Sequence, residues 1–402
     1  MRLLFLILAF FNITVSIAQQ GKWVAQLHRE DGNNIPFSFD WKMEKGKQVW
    51  YIKNALEKIR VDNIKVEGDS FIVQMPVFES QFRFTLKNNN ISGIWLKGGA
   101  LKTLILPFSA TMRNKRFPSN AVTKKNISGR WAVKFGPKDS IKLSVAEFIQ
   151  KGNLLTGTFL NATGDYRFLE GIVTKDTLLL SCFDGEHAYS FKALIENDTI
   201  INYGIFYSGA RGKKEWTATK DSNAKVTHDS VAMFLKPGEE RLDFSFKDLE
   251  GKQVSINSDR FKNKVVVVQL MGSWCPNCMD ETIFLSDYYN KNKHRGVEVV
   301  ALAYEYSTDW ERSVNSLKKF QQRFNVQYPI LITGVTSSDS LRTEKTLPQV
   351  TRIKFFPSSI IIDKKGKIRQ FDTGFVGPAT GSHYIEYKKE FDKTIDSLLK
   401  EN

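Results

Sequence analysis

The chain has 402 residues, 42% hydrophobic and 12% aromatic, and its 58 Lys and Arg against 43 Asp and Glu give a formal net charge of +15. That content fills two or three globular domains and excludes a disordered chain, while only three cysteines exclude a disulfide-stapled scaffold. The basic residues, mostly Lys, form no dense run and accompany no nucleic-acid-binding module, so the charge reads as a solvated surface with weak, salt-sensitive attraction to anionic membranes or acidic proteins.

Arg2 precedes an apolar run over residues 3–11, and Ser16, Ile17 and Ala18 lead into Gln19 and Gln20, the pattern of a secretory signal cleaved after Ala18. The run is broken by Asn12 and falls short of the roughly 20 residues of a membrane span. No cysteine lies nearby for a lipid, and no later stretch is apolar enough to cross a bilayer. The expectation is a soluble mature chain, exported to the periplasm or cell envelope and without a transmembrane segment.

Residues 19–220 read as an antiparallel all-β module that repeats itself, with halves of about 19–117 and 118–220. Gly21, Lys22 and Trp23 echo Gly129, Arg130 and Trp131; Asp69 to Ile72 echo Asp176 to Leu179; Gly93, Ile94 and Trp95 echo Gly204, Ile205 and Phe206. Short alternating or apolar stretches at 71–78, 81–86, 154–160 and 189–195 are separated by turn clusters such as Asn88 to Asn90. A few strands alone leave a face and edges uncovered, so the halves are expected to close into one sandwich or barrel, with separate small domains as the other arrangement. Trp41, Trp50 and Tyr51 read as core residues before a ligand platform, and the module reads as structural or partner-docking before it reads as a container for a small apolar ligand. Cys182, in the apolar segment 177–183, reads as a buried small hydrophobe, with a redox relay as the other reading.

Residues 221–236 are polar and precede Pro237 and Gly238, as a linker would. From 237 to 402 the expected order is a strand, a hairpin partner around Val254, a central apolar strand over 265–270, a helix over 279–292, a strand over 297–303 and a helix over 310–324. Then come 328–333, a longer excursion, strands over 359–363 and 367–373, and a final helix ending near 399. Strands alternating with helices predict an α/β domain with a mixed sheet.

Where the central strand ends stand Trp274, Cys275, Pro276, Asn277 and Cys278. This spacing predicts Cys275 at the N-cap of a helix with Pro276 at its first position, where the missing N–H loses nothing. Unpaired N–H groups and the dipole at such a cap lower a thiol pKa from about 8.5 into a range of roughly 3.5 to 7.5. A zinc site lacks its further ligands, haem attachment would need His where Met279 stands, and a purely structural disulfide closes too small a loop to constrain the unfolded chain. A redox-active pair is the preferred reading, with no metal and no cofactor. Glu281 lies three residues past Cys278 on the same helical face, and spacing alone leaves it as either a proton acceptor or a surface acid favoured by the dipole.

Residues of about 236–402 resemble the thioredoxin fold, specifically its TlpA/ResA-like branch of exported thiol–disulfide oxidoreductases. The resemblance rests on Gly272 to Cys278, on Glu281, and on Phe355, Phe356, Pro357, Ser358 and Ser359 leading into 360–363, where the family keeps a cis-proline loop facing the thiols. It implies an enzyme in which Cys275 attacks a partner disulfide, Cys278 resolves the mixed disulfide, Glu281 assists, Pro357 exposes the backbone of Phe356 to a substrate strand, and Trp274 packs beside the thiols. Implied partners are protein disulfides or dithiols and a membrane or periplasmic electron donor; a reductase is the preferred direction, and the two residues between the cysteines leave an oxidase or isomerase role open. The sequence departs from the family in placing proline after the first cysteine rather than before the second, and in having Phe356 where a smaller residue is usual. The alternatives are a β module that binds or docks, with the redox domain accessory, and a thiol peroxidase.

Overall fold

The computed structural model describes residues 20–401 apart from 120, 138–139 and 227–231; the expected signal segment 1–18 lies outside the described residues. Each half of the β region folds into its own nine-stranded sheet around its own core, so there are two barrel-like units in tandem rather than one joint barrel.

The first barrel is a nine-stranded antiparallel meander from Gly21–Leu27 to Leu104–Met112. Its two edge strands, Glu57–Val61 and Asn63–Glu67, are separated by Asp62 alone, so the chain itself passes from one edge to the other. Alternate residues point inward, among them Trp23, Ala25 and Leu27, then Phe37, Phe39 and Trp41, as a half-buried strand requires. Asn88 and Asn89, at φ of 50° and 59°, make the tight turn between Ser80–Lys87 and Asn90–Lys97, a conformation that favours Asn. Trp50 stacks on Phe39 with ring centroids 4.1 Å apart, so Trp41 and Trp50 are core, while Tyr51 is half-buried with its hydroxyl donating to Glu44 at 2.7 Å.

The second barrel runs from Gly129–Phe135 to Gly212–Lys220, and pairing of Lys142–Lys151 with Leu154–Asn161 completes its ring. The repeated sequences fall on corresponding strands: the first of each barrel, then Ser70–Gln74 and Thr177–Phe183, then Asn90–Lys97 and Ile200–Ser208. Its interior is a separate cluster around Trp131, Phe159, Phe191 and Trp216. Cys182 is sealed in that cluster, and burial pushes its thiol well above the usual range. Phe183 crosses into the first barrel, 4.4 Å from Phe37, and Asn54 brackets its backbone, donating to the Phe183 carbonyl at 2.8 Å.

The C-terminal domain is thioredoxin-like, a seven-stranded mixed sheet in the order Gln253–Ser255, Ser245–Asp248, Ile330–Ile332, Val297–Ala303, Val265–Met271, Ser358–Ile362, Ile368–Thr373. The three central strands 265–271, 297–303 and 330–332 are parallel, and every residue of the first two is buried, because both faces are covered. On one face Val265, Val267 and Met271 pack with helices α1 (Pro276–Asn292), α2 (Trp310–Arg323) and α4 (Ser382–Lys400). On the other, Val266, Val268 and Leu270 pack around Leu347, just past α3 (Arg342–Thr346). Val77 and Phe78 of the first barrel join the first of these clusters, and Glu79 pairs with Arg312 of α2 at 2.6 Å. No described helix is long and apolar enough to cross a membrane.

Candidate active site

The central strand Val265–Met271 ends in Gly272, Ser273 and Trp274, and the chain turns into α1 with Cys275 as N-cap and Pro276 in the first turn. Cys275 takes the extended conformation a cap needs, φ −100° and ψ 111°, and its sulfur accepts the N–H of Cys278 at 3.2 Å. The two cysteines form a disulfide with Cα atoms 5.1 Å apart. Cys278 is fully buried, whereas Cys275 keeps 5% of its surface. Because Ser358–Ile362 pairs antiparallel with the central strand, Leu270 opposite Ser358, the preceding loop lies over the cap. The Phe356–Pro357 peptide is cis, and the Phe356 carbonyl oxygen is 3.6 Å from the Cys275 sulfur. Trp274 donates its indole N–H to the Tyr304 carbonyl at 2.9 Å, stacks on Tyr306 at 4.8 Å and meets the Phe356 ring edge-on at 6.0 Å.

Three buried carboxyls surround this turn. Glu281 is fully buried with Gln269 donating to it at 2.8 Å; burial raises its pKa to about 8, with the charge of Asp372 adding to the effect. Glu305 accepts from the N–H and hydroxyl of Ser273, at 2.8 and 2.6 Å, yet burial still raises it to about 7. Asp280 is raised to about 7 by burial, even though it is paired with Arg167 of the second barrel. Only neutral donors reach Glu281 and Glu305 among these contacts, so desolvation wins over hydrogen bonding.

The Redoxin family matches residues 236–382. Thiol-disulfide oxidoreductase ResA of a Bacillus cereus strain is 30% identical over 134 residues, covering 33% of this chain and 68% of the relative. ResA of Bacillus thuringiensis subsp. konkukian is 29% identical over 156 residues, 39% of this chain and 79% of the relative. A thioredoxin-family thiol:disulfide interchange protein from Chlorobium tepidum TLS aligns with TM-score 0.31 and 20% identity over 40% of this chain and 95% of that one. The chain belongs to the ResA-like thiol–disulfide oxidoreductases.

In this ResA-like domain Trp274, Cys275, Pro276, Phe356 and Pro357 meet around one sulfur, and Glu281 lies below them against the central strand. Phe356, the departure from the usual small residue, is half-buried against Tyr304, 5.0 Å away, and lines the approach to the thiol. Sequence reasoning missed Asp280, Glu305 and Arg167. Asp280 had a usable signal, since it stands four residues past Pro276 and therefore on the same helical face; Arg167 had none, because its partners are 110 and 113 residues away. The second barrel also walls a cleft of about 460 Å³ that ends at Cys275, with Tyr166, Tyr189 and Lys214 on the barrel side and Pro276 and Phe356 on the other. The ResA-like thiol is thus reached alongside a β surface rather than on an open face.

Proposed function

We propose that this thiol–disulfide oxidoreductase is an exported reductase of protein disulfides, with Cys275 as nucleophile and Cys278 as resolving thiol. The observation that carries the reading is the Cys275 sulfur itself, capping α1, accepting an N–H, and facing the carbonyl beside a cis proline. In the reduced enzyme the Cys275 thiolate attacks one sulfur of a partner disulfide, forming a mixed disulfide and expelling the other sulfur as thiolate. Cys278 then gives its proton to the Glu281 carboxylate and attacks the Cys275 sulfur, which releases the partner's second sulfur as thiolate. The partner gains two electrons, the enzyme is left as the Cys275–Cys278 disulfide, and a membrane or periplasmic dithiol donor restores it. A carboxyl near 8 suits that proton transfer, because its affinity for the proton is close to the roughly 8.5 of an ordinary thiol. Trp274 and Pro276 hold the cap, and the backbone at Phe356 and Pro357 pairs with the incoming chain.

Export is supported by the residue pattern of 1–18, and we take 19–220 as the duplicated β module, 221–236 as linker and 237–402 as the redox domain. The test is turnover of insulin disulfides by the full chain. Cys275→Ser should abolish it, and Cys278→Ser should accumulate a mixed disulfide on Cys275; turnover of peroxide but not insulin would instead support a peroxidase. For direction, the potential of the couple should lie nearer that of thioredoxin, about −270 mV, than that of DsbA, about −120 mV.

A further inference from the structure

We propose that Arg167 of the second barrel is a positioning residue that ties both barrels to the start of α1 and, together with Asp280, sets the reduction potential of the Cys275–Cys278 couple. The inference rests on the redox role proposed above.

Arg167 follows the short strand Gly164–Asp165 in the left-handed region, at φ 58°, where its N–H donates to Asp165 Oδ1 at 2.6 Å. Its side chain is 1% exposed, so the guanidinium must find all its partners inside. Nη1 donates to the Pro276 carbonyl at 3.1 Å and to the Asp280 carboxylate. Nη2 donates to Glu57 of the first barrel, and Nε lies 3.4 Å from Asp184 Oδ2 of the second. One planar fork therefore joins three folded units, a task for which lysine lacks the geometry. The loop that carries it is pressed on α1: Asn277 donates to the Asp165 carbonyl at 3.2 Å, and a Cβ on Gly164 would fall 2.0 Å from Asn277 Nδ2.

The site holds more carboxylates than cations. Glu57, Asp184 and Asp280 all face the single guanidinium, Asp165 lies beside it, and the Tyr384 phenol is near Asp280 from α4. Charge in a dry setting within a turn or so of a sulfur acts strongly on its thiolate. Asp280 disfavours the thiolate, and Arg167 offsets it. Since stabilising the reduced form makes a couple more oxidising, removing each charge shifts the couple in opposite directions.

The experiment equilibrates the full-length protein with reduced and oxidised glutathione and reads the reduced fraction. Asp280→Asn, nearly isosteric, is expected to shift the equilibrium constant roughly tenfold toward reduction, about 30 mV for a two-electron couple, and Arg167→Gln to shift it the other way. A merely structural role would not give opposite signs. Shifts of the same sign, or an Asp280→Asn protein within twofold of wild type, overturn the inference; if Arg167→Gln does not fold, Asp280→Asn decides alone. A wild-type protein with no measurable couple overturns the redox role and this inference together, whereas a normal wild type with unmoved variants overturns only this one.

Discussion

Asp184 in the second barrel and Glu281 in the ResA-like domain are both completely buried carboxyls, and their affinities for the proton move in opposite directions. Asp184, in the second barrel, would be pushed up by burial, but His187 and Arg167 beside it hold its pKa down to about 2. Glu281, equally buried in the redox domain, meets Gln269 rather than a cation and is raised to about 8. Burial is common to both; at Asp184 two basic neighbours and the His187 N–H outweigh it, at Glu281 no cation is in contact, and at Asp280 the Arg167 guanidinium, shared with Glu57 and Asp184, does not outweigh it. A carboxylate locked in an ion pair is fixed structure, whereas one left near neutrality with a mobile proton is suited to chemistry.

That contrast can be broken in several places. The largest expected effect is on Cys275: replacing it by Ser should reduce insulin-disulfide turnover by more than about a thousandfold while leaving the barrels intact by circular dichroism. Next, Asp184→Ala removes a buried charge partner and acceptor of the Glu186 and His187 N–H groups, at 2.9 and 2.6 Å. It should cost about 3–5 kcal/mol in denaturant unfolding. The sign of its pH dependence is also set: with a folded pKa below the unfolded one, the Asp184 contribution is complete above about pH 4 and lost as pH falls toward 2. A near-neutral Asp184→Ala variant would mean that the junction is not held by ion pairing.

Much of the redox site was legible because its signals are local. Two thiols with proline between them, placed between an apolar strand and a helix, fix a cap and its chemistry within a few residues, and the loop at Pro357 carries its own short signature. The duplication was legible too, since Trp23 and Trp131 begin equivalent strands. That each half curls around its own core was not, because a period of two tells which side chains face inward but not which strands share one interior. Nor was the junction legible: Arg167 stands between Tyr166 and Phe168 with none of its side-chain partners near it in sequence, and only tertiary packing brings Glu57 and Asp280 to it. Adjacent acids Asp280 and Glu281 are both buried because α1 lies between the sheet and the second barrel, a setting that no single-face periodicity announces.

Glu281→Gln sharpens the comparison from the other side. Removing the proton acceptor should slow resolution of the mixed disulfide by about 100-fold, visible as accumulation of that species in rapid-quench experiments. The same substitution should stabilise the protein by roughly 2 kcal/mol at pH 8 and by less at pH 5. A carboxyl raised to about 8 is protonated in the fold where the unfolded chain has released its proton, so stability falls as pH rises from about 4.5 to 8. Equal stabilisation at both pH values would mean that the group is not held neutral.

The smallest effect is expected at Cys182, where the two regions compete for the same residue type. In the redox domain a sulfur sits at a helix cap with a path to solvent; in the second barrel it is sealed among Trp131, Phe191 and Trp216 with its thiol raised by burial. A thiolate, not a thiol, exchanges disulfides, so Cys182 should resist alkylation in the native protein and react only on unfolding. Cys182→Ala should cost about 1 kcal/mol and leave insulin turnover unchanged. A fall in turnover with stability intact would make this sulfur a relay for the active pair, and the division between structural barrels and a chemical domain would no longer hold.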